Sequence, residues 1–234
     1  YNMTNRTTTL IATLGTLALA SGTTNAAITI LADDFTGVTK AGNTASFTAW
    51  DTVSNIDTPA TSLSFFVGGT MTATTFHDTV ANEIDVNRNM TSSGWDTSFD
   101  LVLDGSTASI DLTSIAIDIR LATGSGGNNN TASKSGRMIV ELIGSTSGSL
   151  GTVDPGNSGY PSFQYTRTVD LSALPTLDNS ENYTIVLKAR GSGFGHHKSL
   201  KAFNLEADVT PIPEPSTTAL LGLGGLALAF RRRK

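Results

Sequence analysis

The chain has 234 residues, 38% of them apolar and 15% charged, which is enough for one core or at most two small ones. It contains no cysteine, which excludes disulfides, thiolate catalysis and cysteine-based zinc sites. Its formal charge of −5 argues against nucleic acid as a partner and favours solubility and divalent cations.

From Met3 a single arginine, Arg6, precedes an apolar run from Leu10 to Ala20, and small residues follow down to Ala26-Ala27. That order predicts a secretory signal peptide over residues 1–26, helical during export and removed by signal peptidase after Ala26 or Ala27. The apolar run is too short to span a bilayer.

The body, residues 27–210, alternates with period two between clusters of Gly, Asn, Asp, Ser and Pro, and its wealth of Thr, Ser and Gly suits strands and turns better than helices. Strands are predicted at 27–31, 63–67 and 99–103. In the segment 108–121, Ile110 and Leu112 fall on even positions, whereas Ile115, Ile117, Ile119 and Leu121 fall on odd ones. The buried face therefore changes phase near Thr113-Ser114, where a bulge or tight turn belongs. Further strands follow at 137–143, 163–171 (with a break in pattern at Arg167) and 183–189. The last, 199–209, repeats the phase slip, since Leu200 and Ala202 give way to Phe203, Leu205, Ala207 and Val209. About nine strands, long polar connections such as 122–136 and no long amphipathic helix predict an all-β fold. The expected form is an antiparallel β-sandwich of jelly-roll type, with a barrel as the next choice.

Residues 211–234 have three parts: Pro213-Glu214-Pro215, an apolar stretch from Ala219 to Phe230, and the basic cluster Arg231, Arg232, Arg233 and Lys234. Physically this is a short hydrophobic helix, weakened by Gly222, Gly224 and Gly225 and held on the cytoplasmic side by its cations. The three parts in this order resemble the PEP-CTERM sorting signal, which implies recognition and processing by exosortase after transient insertion in the inner membrane. A plain C-terminal anchor is the alternative. Without both end segments, ten basic and 19 acidic side chains remain, a net charge near −9. The body in turn resembles the lectin-like sandwich domains found ahead of such tails, through the opening ILADDF, a Tyr-bearing strand, a Gly-rich loop and the final NLEADV.

Sugar binding would need exposed aromatic faces beside amide and carboxylate groups, and Trp50, Trp95, Tyr160 and Phe194 lie in loop-like contexts, where each could equally cap the core. Asp33 and Asp34, just after the first strand, are candidates for a structural calcium completed by a carboxylate of the last strand, Asp208. Asp85, Asn87, Asn89 and Asp96 match positions 1, 3, 5 and 12 of a calcium loop, but Met90 stands where the sharp turn needs Gly. His77, Asp100 and Ser158 occur in the chain order of trypsin-like serine proteases, yet the sequence around His77 lacks that family's pattern and GNSG reads better as a polar loop. His196-His197 reads as an exposed loop pair.

The sequence therefore predicts an exported cell-surface or extracellular-matrix protein whose non-catalytic sandwich contacts extracellular polysaccharide. A secreted hydrolase acting on glycan or peptide and a purely structural, self-associating matrix protein are the alternatives; no motif pairs two carboxylates for glycoside hydrolysis.

Overall fold

The computed structural model describes residues 26–41, 44–57, 62–67, 84–86, 95–122, 135–159, 164–192 and 197–212. The predicted signal and C-terminal helices lie outside these residues. Among the described residues the regular structure is all β, and no helix is long and apolar enough to cross a membrane.

In chain order the strands are β1 (Ile28–Asp33), β2 (Thr39–Ala41), β3 (Thr44–Ser46), β4 (Thr52–Val53), β5 (Ile56–Asp57), β6 (Ser62–Val67), β7 (Ile84–Val86) and β8 (Trp95–Leu103). There follow β9 (Thr107–Ala122), β10 (Ser135–Gly144), β11 (Gly148–Val153), β12 (Ser158–Gly159), β13 (Gln164–Asp170), β14 (Leu177–Asp178), β15 (Tyr183–Ser192) and β16 (His197–Pro211). They form a seven-stranded sheet with the path β13-β9-β16-β1-β4 and a nine-stranded sheet with the path β11-β10-β15-β8-β6-β3-β2. All pairings are antiparallel.

Eight of these strands are nested like a folded hairpin. The first, β1, pairs with the last, β16; β8 pairs with β15, β9 with β13, and β10 with β11. Wrapping that nest across two sheets is the jelly-roll topology. The remaining short strands extend the nine-stranded sheet through β6, β3 and β2 or border the roll.

Both predicted phase slips are β-bulges. Glu206 pairs with Ser114 and Ala207 with Leu112, so Thr113 is the extra residue in β9; Leu200 pairs with Ile119 and Ala202 with Asp118, so Lys201 is the extra residue in β16. A third bulge, in β1, leaves Ile30 unmatched between Thr29 and Leu31. The bulges in β1 and β9 flank β16 at the same level, next to Glu206, so an even-to-odd change of face on one neighbour is matched on the other. Ile30 and Leu31 are adjacent in sequence and both fully buried for this reason.

The inward side chains of both sheets merge into one core, with Leu101, Ile115, Ile117, Leu142, Ile185 and Leu205 among its most buried members. One end is aromatic. Phe203 of β16 stacks on Phe99 of β8 (5.3 Å, 16°) and meets the edge of Trp50 at 5.5 Å; Phe47 packs against Trp50 at 4.6 Å and against Phe35 at 5.8 Å. Each such ring pair contributes roughly 0.5–1.5 kcal/mol beyond the area it buries.

Candidate functional site

Two polar arrangements stand out against this frame, an acidic corner where β1 ends and the outer face of the nine-stranded sheet. The corner is made by pairing. β4 adds to β1 with Ala32 opposite Thr52, which brings Asp51 beside Asp33 and Asp34. A carboxylate oxygen from each of the three lies within 4.8 Å of the others. The Asp34 amide donates to Asp51 Oδ2 at 2.9 Å, the Thr36 amide to Asp34 Oδ1 at 2.8 Å and the Phe35 amide to Asp33 Oδ1 at 2.5 Å. The chain leaves the corner through Phe35, fully buried at φ 57°, and Gly37 at φ 77°, which turn it sharply back toward β2. Asp33 is only 4% exposed, and its Oδ2 has no hydrogen-bond donor. Burial, reinforced by the charges of Asp51 and Asp34, outweighs the Phe35 amide and pushes the Asp33 carboxyl up to about 6. Asp34 moves the other way, held below the usual range by the Thr36 hydroxyl and amide.

The outer face of the nine-stranded sheet follows from alternation on β10, β15 and β8, whose other halves point into the core. In rows across the three strands, Ile139 stands beside Lys188 and Asp96, Glu141 beside Val186 and Ser98, and Ile143 beside Thr184 and Asp100. Lys188 Nζ pairs with Glu141 Oε2 at 2.5 Å, Arg190 pairs with Asp96, and Arg137 pairs with Asp154 at 3.1 Å. Ser149 Oγ donates to Glu141 and Thr184 Oγ1 to Asp100. Lys188 holds the Glu141 carboxyl below its ordinary range. The result is a fixed ladder of donors and acceptors with partly exposed aliphatic side chains between its rungs.

Several expectations are corrected here. Trp50 is 8% and Trp95 3% exposed, and Trp50 gives its faces and edges to Phe47, Phe99 and Phe203, so neither offers a ring to a sugar. Trp95 opens β8 on the inward side of its alternation, and the segment between β3 and β4 folds Trp50 onto Phe203. Tyr160 and Phe194 lie outside the described residues. Asp208 does not join Asp33 and Asp34: Asp33 pairs with Phe203, and Asp208, five residues on, pairs with Asp111. That separation is about 17 Å along the strand.

The calcium-loop pattern also comes apart, since Asp85 belongs to β7 in the seven-stranded sheet and Asp96 to β8 in the other, where it engages Arg190; Asn87 and Asn89 lie outside the described residues. Of the protease-like set, His77 is outside them too. Asp100 faces Thr184, whereas Ser158 sits on β12 opposite Gly136, which pairs with Gly191. Seven residues of β15 separate the two levels, about 23 Å. His196 lies outside the described residues, and His197 opens β16.

Sequence reasoning missed Asp51, because a two-residue strand such as β4 has no periodicity to read. It also missed the ladder, whose signal was present: Arg137, Glu141, Lys188 and Arg190 are the polar halves of the alternations whose apolar halves were assigned to the core.

Residues 211–234 match the PEP-CTERM protein-sorting motif. The motif marks the chain as an exported one. It begins where β16 ends, and Ile212 still donates its amide to Ser106. No curated protein matches the chain. Among solved structures it is similar to the family 29 carbohydrate-binding module CBM29_1 from Piromyces equi, at 9% identity over 78% of this chain and 91% of that one, with a TM-score of 0.36. It is also similar to a variant of the family 29 module CBM29-2, at 11% identity over 82% and 99%, TM-score 0.35. The Stig cyclase FisC from Fischerella sp. TAU aligns at 16% identity over 77% and 85%, TM-score 0.33. Binding modules and a cyclase stand side by side at these low scores, so no ligand or reaction follows from them.

Proposed function

We propose that this is an exported cell-surface or extracellular-matrix protein, released from residues 1–26 by signal peptidase, inserted transiently through its C-terminal helix and processed by exosortase at the PEP-CTERM tail. Its sandwich, residues 27–210, is a non-catalytic module that contacts extracellular polysaccharide through the outer face of the nine-stranded sheet. The sorting motif at residues 211–234 is the observation that carries the export half of this reading.

The ladder supports the other half. A pyranose presents hydroxyls at its rim and C–H groups on its faces. Pre-positioned groups such as Glu141, Lys188 and Arg190 can exchange hydrogen bonds with the rim, while Ile139, Val186 and Ile143 receive the apolar faces. Because the charges are already paired and held across strands, little side-chain entropy is lost when a polymer docks.

The test is binding of the full chain to the producing cell's own extracellular polysaccharide, comparing the wild type with the double variant Lys188→Ala/Arg190→Ala. Saturable binding that the double variant loses, with the circular dichroism spectrum unchanged, is the expected result. Absence of wild-type binding to any matrix glycan would leave only the export half standing.

A further inference from the structure

The acidic corner is not part of the ladder, and its chemistry points elsewhere. We propose that Asp33, Asp34 and Asp51 form a binding site for a hard divalent cation of the calcium type, which ties the end of β1 to the segment leading into β4.

The donor set consists of carboxylate oxygens alone, the choice of calcium rather than of softer transition metals. The mutual spacing fits. Oxygens that each lie about 2.3–2.6 Å from one ion are at most roughly 5 Å apart, and those of the three aspartates are within 4.8 Å of one another. What separates this corner from an ordinary acidic surface is Asp33. Its side chain is 4% exposed, Oδ1 is taken up by the Phe35 amide, and Oδ2 is buried without a hydrogen-bond partner. An orphaned carboxylate oxygen at that depth is costly unless a cation answers it. Asp34 and Asp51 are exposed, so an ion has an entry path and keeps water on its open side. The ion would also fix the segment carrying Phe47 and Trp50, whose rings close the aromatic end of the core.

The inference is independent of the polysaccharide reading, since no ladder residue contributes to the site. It is tested on the full chain by thermal unfolding with calcium and with chelator, and by terbium emission excited through Trp50, the neighbour of Asp51. Calcium at about a hundredfold excess over its Kd is expected to raise the wild-type Tm by roughly 5–10 °C. Terbium emission is expected to appear and to be displaced by calcium. Asp51→Asn and Asp34→Asn should lose both responses, and in chelator Asp51→Asn should melt no lower than the wild type, because it removes a like charge that bears on Asp33. Both positions are exposed, so neither substitution threatens the core. The proposal is overturned by a wild type whose Tm ignores calcium and which gives no terbium emission. It is equally overturned if the two variants respond as strongly as the wild type, which would place the ion elsewhere.

Discussion

The two sheets present opposite chemistries to solvent while sharing one core. On the seven-stranded sheet hydroxyls meet carboxylates without cation partners in these bonds: Thr166 Oγ1 donates to Asp118 and Ser114 to Glu206 across strands, and Thr176 to Asp111, with Ala116 and Asn204 among them. The nine-stranded sheet carries long charged side chains in cross-strand ion pairs, with isoleucine and valine between them. Both faces arise from the same period-two alternation. The comparison teaches that the hydrophobic pattern decides which side is inward, and the chemistry of the outward residues decides which face can hold a ligand.

The harshest way to break the comparison is to remove what the faces share. Phe203→Ala deletes ring contacts to Trp50, Phe99 and Phe35, and is expected to cost about 3–5 kcal/mol in urea unfolding. Because the loss falls on the core, it should destabilise both sheets in a single transition.

Next in size is the functional asymmetry. Arg190→Ala and Lys188→Ala are each expected to weaken polysaccharide binding roughly ten- to a hundredfold by isothermal titration, the worth of one or two charge-assisted hydrogen bonds. Thr166→Val on the opposite face should leave the affinity unchanged.

A milder contrast concerns acid. Glu181 accepts from the Thr146 and Ser147 amides and hydroxyls, which clamp the β10–β11 turn, and those donors, Ser147 first, hold its carboxyl near a pKa of about 2, against an ordinary 4.5. A depressed carboxylate contributes stability that is present above its unfolded pKa and is lost as pH falls through the folded one. Glu181→Gln should therefore flatten the decline in Tm between pH 4.5 and about 2. A decline as steep in the variant as in the wild type would contradict this assignment.

The smallest expected effect is that of Thr166→Val on stability. Its hydroxyl bonds to Asp118 on an exposed surface, so the cost in urea unfolding is about 0.5–1 kcal/mol or less.

Much of the roll was legible in the sequence. The alternation at 183–189 became β15, and the phase slips at Thr113 and after Leu200 became bulges, because a buried face leaves a period that survives in the chain. Elements without a period were not legible. β4 and β5 have two residues each, and their partners are chosen by tertiary packing. The corner depends on β4, so Asp51 was invisible and Asp208 stood in its place. The tryptophans misled for a related reason. Trp50 lies outside any strand, yet the jelly roll folds its segment over Phe203, and no local pattern records that contact.

The most direct test of the account is binding of the full chain to the extracellular polysaccharide of the cells that make it, comparing the wild type with Lys188→Ala/Arg190→Ala. Saturable wild-type binding that the double variant loses while Thr166→Val keeps it is the predicted outcome. Equal binding by all three proteins, or none by the wild type, would contradict the assignment of the nine-stranded face.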